Sequence, residues 1–469
     1  MRDIKITTAL FVVWMFIAYP LSAQEFEVDT LVYNGSTDQH INLVVLGDGY
    51  TSAQMNSFIV NANSFKDYFF SRTPFSNYKN YFNVFIIKTP SVESGAKHPK
   101  TSSDCITANP LVPVVDPNNY YGSTFDAYGI HRLLVPMNTS VIATVLANNF
   151  PSYDQVIVLV NTPYSGGSGG EFATVSIDVS GNDAAVHEIG HSFAGLADEY
   201  WAGSQYAIEK PNMTQDNSSN TIKWKNWLTA GTGIGVYPFI GQSWYKPTEG
   251  TCEMQLLYSS FCSVCSEAIV EQIHQLVNPI ERFSPLSSMN TITDSSCFSL
   301  KLMKPNPSTL NVEWSLNNSV VGTNVDSIFV NIESLIDGSN TISVKVIDTT
   351  SLSRSDSHLA SHLYVTSWTI SKNSTGFSNV SSKNNSINIR LYPNPSPDYL
   401  NVTLNAERQE YVSILIYSSQ GILMKSIGNY SLSGDAKTIT IDIREFAAGP
   451  YSVEFRTKSF VHVEEFVKL

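Results

Sequence analysis

The sequence predicts a multidomain chain in which a mixed α/β (α+β) region is followed by all-β sandwich domains. Three observations carry that expectation. At 469 residues the chain is too long for one hydrophobic core. Its first half alternates strand-like apolar runs with stretches of helical period. From about Ser287 the texture changes to short alternating strands separated by Gly, Asn and Asp turns.

At the start, Arg2 and Lys5 precede an apolar run from Ala9 to Tyr19, and Leu21-Ser22-Ala23 leads into a polar stretch. Basic, apolar and small residues in that order predict a signal peptide over residues 1–23, cleaved after Ala23. The run is short for a membrane span, and no later segment is apolar for long enough, so no span is expected after signal removal. The net charge of −13 and the lack of a basic run argue against nucleic acid or an anionic membrane as partner.

Residues 41–50 (INLVVLGDGY) read as a buried strand ending in a Gly-Asp-Gly turn, 52–70 as a helix, and 81–90 (YFNVFIIKTP) as a second strand. This gives an N-terminal α/β or β-rich domain over 24–120. Residues 153–161 (YDQVIVLVN) are a further buried strand. The glycine run Gly166–Gly170 lacks the Lys-Ser/Thr of a phosphate loop and reads as the approach to an edge strand that an extended peptide can join. A second region, 121–285, holds the histidine helix described next. Residues 286–371 read as a β-sandwich, 372–388 as a Ser/Asn-rich linker, and 389–469 as another β-sandwich.

The chemistry concentrates in residues 184–201, AAVHEIGHSFAGLADEYW. His187 and His191 lie four apart, so a helix places both imidazoles on one face, where they can share a metal ion. Glu188 sits one residue round, placed to take a proton from a water without ligating the metal. The flanking Ala184, Ala185, Val186 and Ile189 bury this helix, and buried ionisable groups need a partner. A catalytic zinc takes three protein ligands. On an unbroken helix Asp198 would lie about 10 Å beyond His191 along the axis. Gly195 offers the left-handed stop that lets Asp198 turn back.

The five cysteines are Cys105, Cys252, Cys262, Cys265 and Cys297. The trio 252, 262 and 265 lacks a clear fourth ligand, so a local disulfide or simple burial is expected there. His98, His131 and His274 read as isolated, in structural or surface roles.

Residues 187–200, HEIGHSFAGLADEY, resemble the signature of the IgA-peptidase-like family of secreted zinc metallopeptidases, H-E-x-G-H-S-x-x-G-L-x-D-E-Y. LGDGY (46–50), SVESGAKHP (91–99), YDQVIVLVNTPYSGGSGG (153–170) and CEMQLLYSSFCSVC (252–265) resemble further segments of it, covering about residues 25–280. The resemblance implies a zincin-like, metzincin-like catalytic domain over 121–285 with one catalytic Zn2+. It implies His187 and His191 as ligands, Glu188 as general base, and Met254 in a methionine turn. Asp198 becomes the third ligand, with Glu199 the second choice, because an acid replaces the third histidine of the commonest metzincin pattern. Tyr245 is a lesser candidate for stabilising an oxyanion. Structural Ca2+ has no ligand set named by the sequence.

LYPNPSPDYLNV (391–402), AAGPYSVEFRT (447–457) and the terminal EEFVKL (464–469) resemble the C-terminal sorting domain of the type IX secretion system. The preceding module resembles the Ig-like domain that follows such peptidases. Together these imply a bacterium of Bacteroidetes type and export to the medium or cell surface by the type IX machinery. The expected molecule is a monomeric secreted zinc endopeptidase acting on extracellular proteins or glycoproteins, immunoglobulin A among them. The alternatives are a non-catalytic adhesin or glycan-binding protein, and a zinc hydrolase of cell-wall amide bonds.

Overall fold

The computed structural model describes residues 25–469 except 108–109, 230, 288, 293–294, 373–386, 407–409, 419–422, 433–435 and 457–460. The expected signal peptide and nearly all of the expected linker lie outside the described residues. The fold is mixed α/β with many sheets and few helices. It divides into two units, residues 1–282, 301–312 and 345–365, and residues 283–300, 313–344 and 366–469.

The first unit is organised by a six-stranded sheet. Its strands are β1 (Val28–Val32), β2 (Ile41–Asp48), β3 (Phe82–Ile87), β4 (Gln155–Val160), β5 (Gly167–Ser168) and β6 (Ala173–Ser176), in the order β1-β3-β2-β4-β6-β5. The four central strands run parallel; β1 and β5 pair antiparallel at the two edges. Helices α1 (Met55–Phe69), α2 (Thr139–Asn149), α3 (Gly181–Ala194) and α4 (Ser263–Leu276) complete it.

The strands β2, β3 and β4 are buried along their whole length, which is why they read as continuous apolar runs. The pleat sorts their side chains. Leu43, Val45, Ile157 and Leu159 join one core with Phe58 and Phe65 of α1, Ile189 of α3 and Ile269 of α4. Val44, Leu46, Val156 and Val158 join a second core with Ile142 and Leu146 of α2. Helices therefore cover both faces of the sheet. Asp48 ends β2 buried, its carboxylate accepting from the Tyr121 and Ser123 backbone N–H groups at 3.0 and 2.9 Å, so the Gly-Asp-Gly turn ties the strand end to the following loops.

The second unit is built from β-strands and one short 3-10 turn among its described residues. Strands Ser295–Leu302 and Ser327–Asn331 pair antiparallel, as do Leu310–Leu316 and Ser319–Thr323. Trp314 and Trp368 stack with ring centroids 5.8 Å apart at the centre of this part. Residues 387–468 form a three-stranded and a four-stranded sheet around Leu400, Val402, Leu404, Ile414, Ile416 and Phe455, whose spacing of two is the mark of half-buried strands.

Candidate metal centre

Helix α3 starts where Gly181 lies against the Ser176 carbonyl, too close for any Cβ. Asp183 in its first turn is buried and accepts from the Tyr68 hydroxyl and the Tyr258 backbone N–H, so an acid meets the positive end of the helix. Ala185, Val186, Ile189 and Phe193 point into the core. His187, Glu188 and His191 line a cleft of about 1160 Å3 on the other side. The helix stops at Gly195, which is left-handed at φ 64° and ψ 26°. Its N–H bonds the His191 carbonyl, and Leu196 N–H bonds the Gly190 carbonyl, both at 3.1 Å.

The reversal brings Asp198 back. Its Oδ1 lies 3.2 Å from His187 Nε2 and 3.3 Å from His191 Nε2, and the two Nε2 atoms are 3.2 Å apart. The other nitrogen of each ring is fixed: His187 Nδ1 donates to the Glu253 carbonyl at 3.0 Å, and His191 Nδ1 to the Leu196 carbonyl at 2.8 Å. With Nδ1 carrying the hydrogen, each Nε2 presents a lone pair. Asp198 Oδ1 is buried and finds no donor in hydrogen-bond geometry. With both Nδ1 atoms donating, three lone-pair atoms face one another, an arrangement relieved by a metal ion between them or by a proton taken up on an imidazole. Tetrahedral bonds of about 2.0–2.1 Å put neighbouring ligand atoms about 3.3–3.4 Å apart. The observed triangle matches that spacing, so the residues present fit a zinc-sized ion.

The surrounding charges agree with a cation site. Burial, opposed by the two histidines, raises the Glu188 pKa. Burial lowers that of His191, but the Asp198 carboxylate outweighs it and raises the value to about 9. Asp198 itself is pushed up by burial and held well below the usual carboxylate range by both imidazoles. The glycine run crosses over Glu188: a Cβ on Gly169 would come 2.8 Å from its Oε2, and one on Gly167 3.5 Å from its Oε1. Met254 is wholly buried and packs under α3, where a Cβ on Gly190 would meet its sulfur at 2.8 Å. It sits in a tight turn closed by Gln255 and Leu256 N–H groups on the Cys252 carbonyl, both at 2.9 Å. Tyr200 and Arg132 also line the cleft. Tyr245 does not; its hydroxyl accepts from Asn217 at 3.2 Å.

Glu199 faces away from the histidines. Its fully buried carboxylate lies among Cys252, Cys262 and Cys265, supplying the fourth group that the cysteine spacing alone lacks. All five cysteines are unpaired thiols. None of the three histidines expected to be isolated stands alone, and all three are buried. His98 and His131 meet Cys105 and Asp126 in a buried cluster, with His131 Nδ1 2.7 Å from Asp126 Oδ1 and Cys105 Sγ 3.2 Å from the same oxygen. His274 Nε2 is 2.8 Å from Asp348, and His358 and His362 bracket Glu271 at 2.6 and 2.7 Å. Apart from His131 and Asp126, which are 5 positions apart, these contacts join residues 21 to 91 positions apart, beyond the reach of a local spacing rule.

Residues 30–244 match the family model described as IgA Peptidase M64. Residues 390–468 match that of the secretion system C-terminal sorting domain, which marks the chain for secretion or the cell surface through the type IX route. No curated protein matches the chain. Among solved structures, latent PorU from Porphyromonas gingivalis is 12% identical with a TM-score of 0.16, over 40% of this chain and 19% of that one. Bacteroides uniformis beta-glucuronidase 3 is 9% identical with a TM-score of 0.17, over 47% and 28%. The fibronectin(III)-like modules of Clostridium thermocellum CbhA are 10% identical with a TM-score of 0.17, over 40% and 93%. Likenesses at these TM-scores identify neither fold nor function. No helix among the described residues is long and apolar enough to cross a membrane.

Proposed function

We propose that the region matched by the IgA peptidase family model is a zincin-like, metal-dependent endopeptidase that cleaves extended segments of extracellular proteins. The carrying observation is the triangle of His187 Nε2, His191 Nε2 and Asp198 Oδ1, with edges of 3.2, 3.2 and 3.3 Å and no donor for the carboxylate oxygen. These three residues would hold the ion, and two nitrogens with one oxygen suit Zn2+. When bound, such an ion supplies Lewis acidity to a carbonyl and acidifies a water.

The remaining steps belong to the chain. Glu188 sits half-buried beside the triangle, where desolvation raises its pKa, so it can take a proton from the attacking water and return it to the leaving amine. Strand β5 is bonded on its outer side to the segment carrying Arg132, with Gly167 N–H on the Arg132 carbonyl at 3.2 Å and Leu134 N–H on the Gly167 carbonyl at 3.3 Å, so this backbone fixes the cleft wall beside Glu188 and an extended substrate would lie along the cleft rather than join β5 as a further strand. Arg132 on the cleft wall supplies a positive charge toward developing negative charge. The Glu253 and Leu196 carbonyls keep both imidazoles in the tautomer that ligation requires.

Purified protein, loaded with zinc, should cleave casein or immunoglobulin A, and Glu188→Gln should retain the metal while losing turnover. Cleavage of cell-wall amides alone would overturn the peptidase reading, as would binding without turnover by both forms.

A further inference from the structure

We propose that Cys252, Cys262, Cys265 and Glu199 form a second metal site, one that holds a structural Zn2+ directly behind the His187–His191–Asp198 centre. The site does not depend on how the histidine centre functions.

Spacing is the first argument. Cys252 Sγ and Cys265 Sγ are 3.7 Å apart, and Glu199 Oε1 lies 3.3 Å from Cys265 Sγ and 3.8 Å from Cys262 Sγ. A tetrahedral zinc with bonds of about 2.3 Å to sulfur and 2.0–2.2 Å to oxygen sets sulfur pairs about 3.8 Å apart and sulfur–oxygen pairs about 3.6 Å apart. The sulfur pair is at that separation, the two sulfur–oxygen distances bracket it, and all four ligand atoms lie within 4.8 Å of one another.

Burial is the second. Cys252, Cys265 and Glu199 are each 0% exposed. A buried carboxyl must either keep its proton or meet a cation. No ion pair to the Glu199 carboxylate occurs among the described residues; Lys246 instead bonds its backbone carbonyl, at 2.8 Å, and the Gln255 side chain. Thr248 donates to Glu199 Oε2 and Asn212 Nδ2 lies 3.3 Å from Oε1, which aims the carboxylate at the sulfurs.

Local structure is the third. Cys262 is the N-cap of α4 and Cys265 lies in its first turn, where the helix dipole favours thiolate. Cys262 N–H also points at Cys252 Sγ from 3.4 Å. Three thiolates with one carboxylate form a soft donor set that selects zinc over calcium or magnesium. On binding, the thiol protons and any proton on the Glu199 carboxyl leave to solvent. The resulting excess negative charge faces the buried Lys246 ammonium. A disulfide between Cys252 and Cys265 is the rival, but it would leave the buried Glu199 carboxyl beside them with no cation to meet.

The consequence is positional. Glu199 follows Asp198, and Glu253, whose carbonyl fixes His187, follows Cys252. One ion would therefore clamp the segments that orient two of the three histidine-centre ligands.

The deciding measurement uses the full chain: zinc-edge X-ray absorption and metal content of wild type and His187→Ala/His191→Ala. The double variant should keep one zinc per chain with about three sulfur neighbours at about 2.3 Å. Cys105→Ser should leave that sulfur shell intact, and Cys265→Ser should lose it. Should Cys265→Ser fail to fold, wild type and the double variant still decide. A shell of nitrogen and oxygen only, or a Cys252–Cys265 disulfide in the peptide map of the native protein, would overturn the site.

Discussion

The hydrogen on each imidazole decides what the histidine centre can do. Because Nδ1 of both rings is committed to a carbonyl, the metal-free centre can relieve its lone pairs only by taking up a proton, which is why Asp198 drives the His191 pKa to about 9. Metal and proton then compete. Below that pKa, binding must expel a proton, so apparent affinity should rise about tenfold per pH unit and flatten above pH 9. Calorimetry in buffers of different ionisation enthalpy should show roughly one proton released per ion at pH 7.5; none released would contradict the competition. At Glu188 the expectation is different. Glu188→Gln keeps the shape and removes the base, so turnover should fall by about 10²–10⁴ while zinc stoichiometry holds. Gly169→Ala tests the neighbouring backbone: its Cβ would press on Glu188 Oε2 from 2.8 Å. Activity should drop well before thermal stability does. His187, Glu188, His191 and Asp198 were legible in the sequence because one helix and one glycine bring them together. The position of Glu199 among the cysteines was not, since Cys252 and Cys265 lie 53 and 66 positions away from it.

At the scale of the element, the stop of α3 is where local chemistry and the site meet. Gly195 has open space around the position of a Cβ, so replacing it by Ala adds no clash and leaves only the backbone penalty of a left-handed residue. That penalty is about 1 kcal/mol. The variant should melt a few degrees lower, and it should lose metal affinity more than stability, because any continuation of the helix carries Asp198 away. Equal loss of both would mean that the stop is merely structural. Helix α4 offers a cleaner pH test. Glu271 is pushed up by burial, yet hydrogen bonds from His358, Ser353 and His362 win and hold it at about 2. A depressed carboxylate adds stability above its unfolded pKa of about 4.5, and that stability is lost as pH falls from there toward 2. Wild type should therefore lose on the order of 2 kcal/mol across that window, and Glu271→Gln should be flatter there and less stable at neutral pH. Denaturant titrations at pH 6, 4 and 3 would measure it. The strands were readable from their apolar runs. The pairing of His358 and His362 with α4 was not, because no periodic signal links residues 271 and 362.

Over the whole molecule, the sequence showed where the texture changes, but it did not show that residues 301–312 and 345–365 group with the first unit rather than with the sandwich strands around them. Alternation reports which face of a strand is buried, not which core it is buried in. The end of the chain is more self-contained. Its last strand, Val461–Lys468, pairs antiparallel with Gly449–Arg456 along its full length and buries Phe466 against Tyr451. Beyond the sheet, Ser396 N–H bonds the Val467 carbonyl at 2.8 Å, and Leu469 N–H bonds the Ser396 carbonyl at 3.0 Å, so the terminus clasps the loop that opens this module. Removing residues 461–469 would uncover the Gly449–Arg456 edge and open the core at Phe466, a change in the range of about 3–5 kcal/mol for the aromatic alone. A module of this size rarely has more stability than that to lose. The truncated chain should thus fail to present a folded sorting domain and stay inside the cell envelope, while the histidine centre, built entirely in the first unit, keeps its metal and its activity on casein in lysates. Fractionation of cells expressing both forms would measure this. Normal release of the truncated chain would show that sorting does not require the final strand.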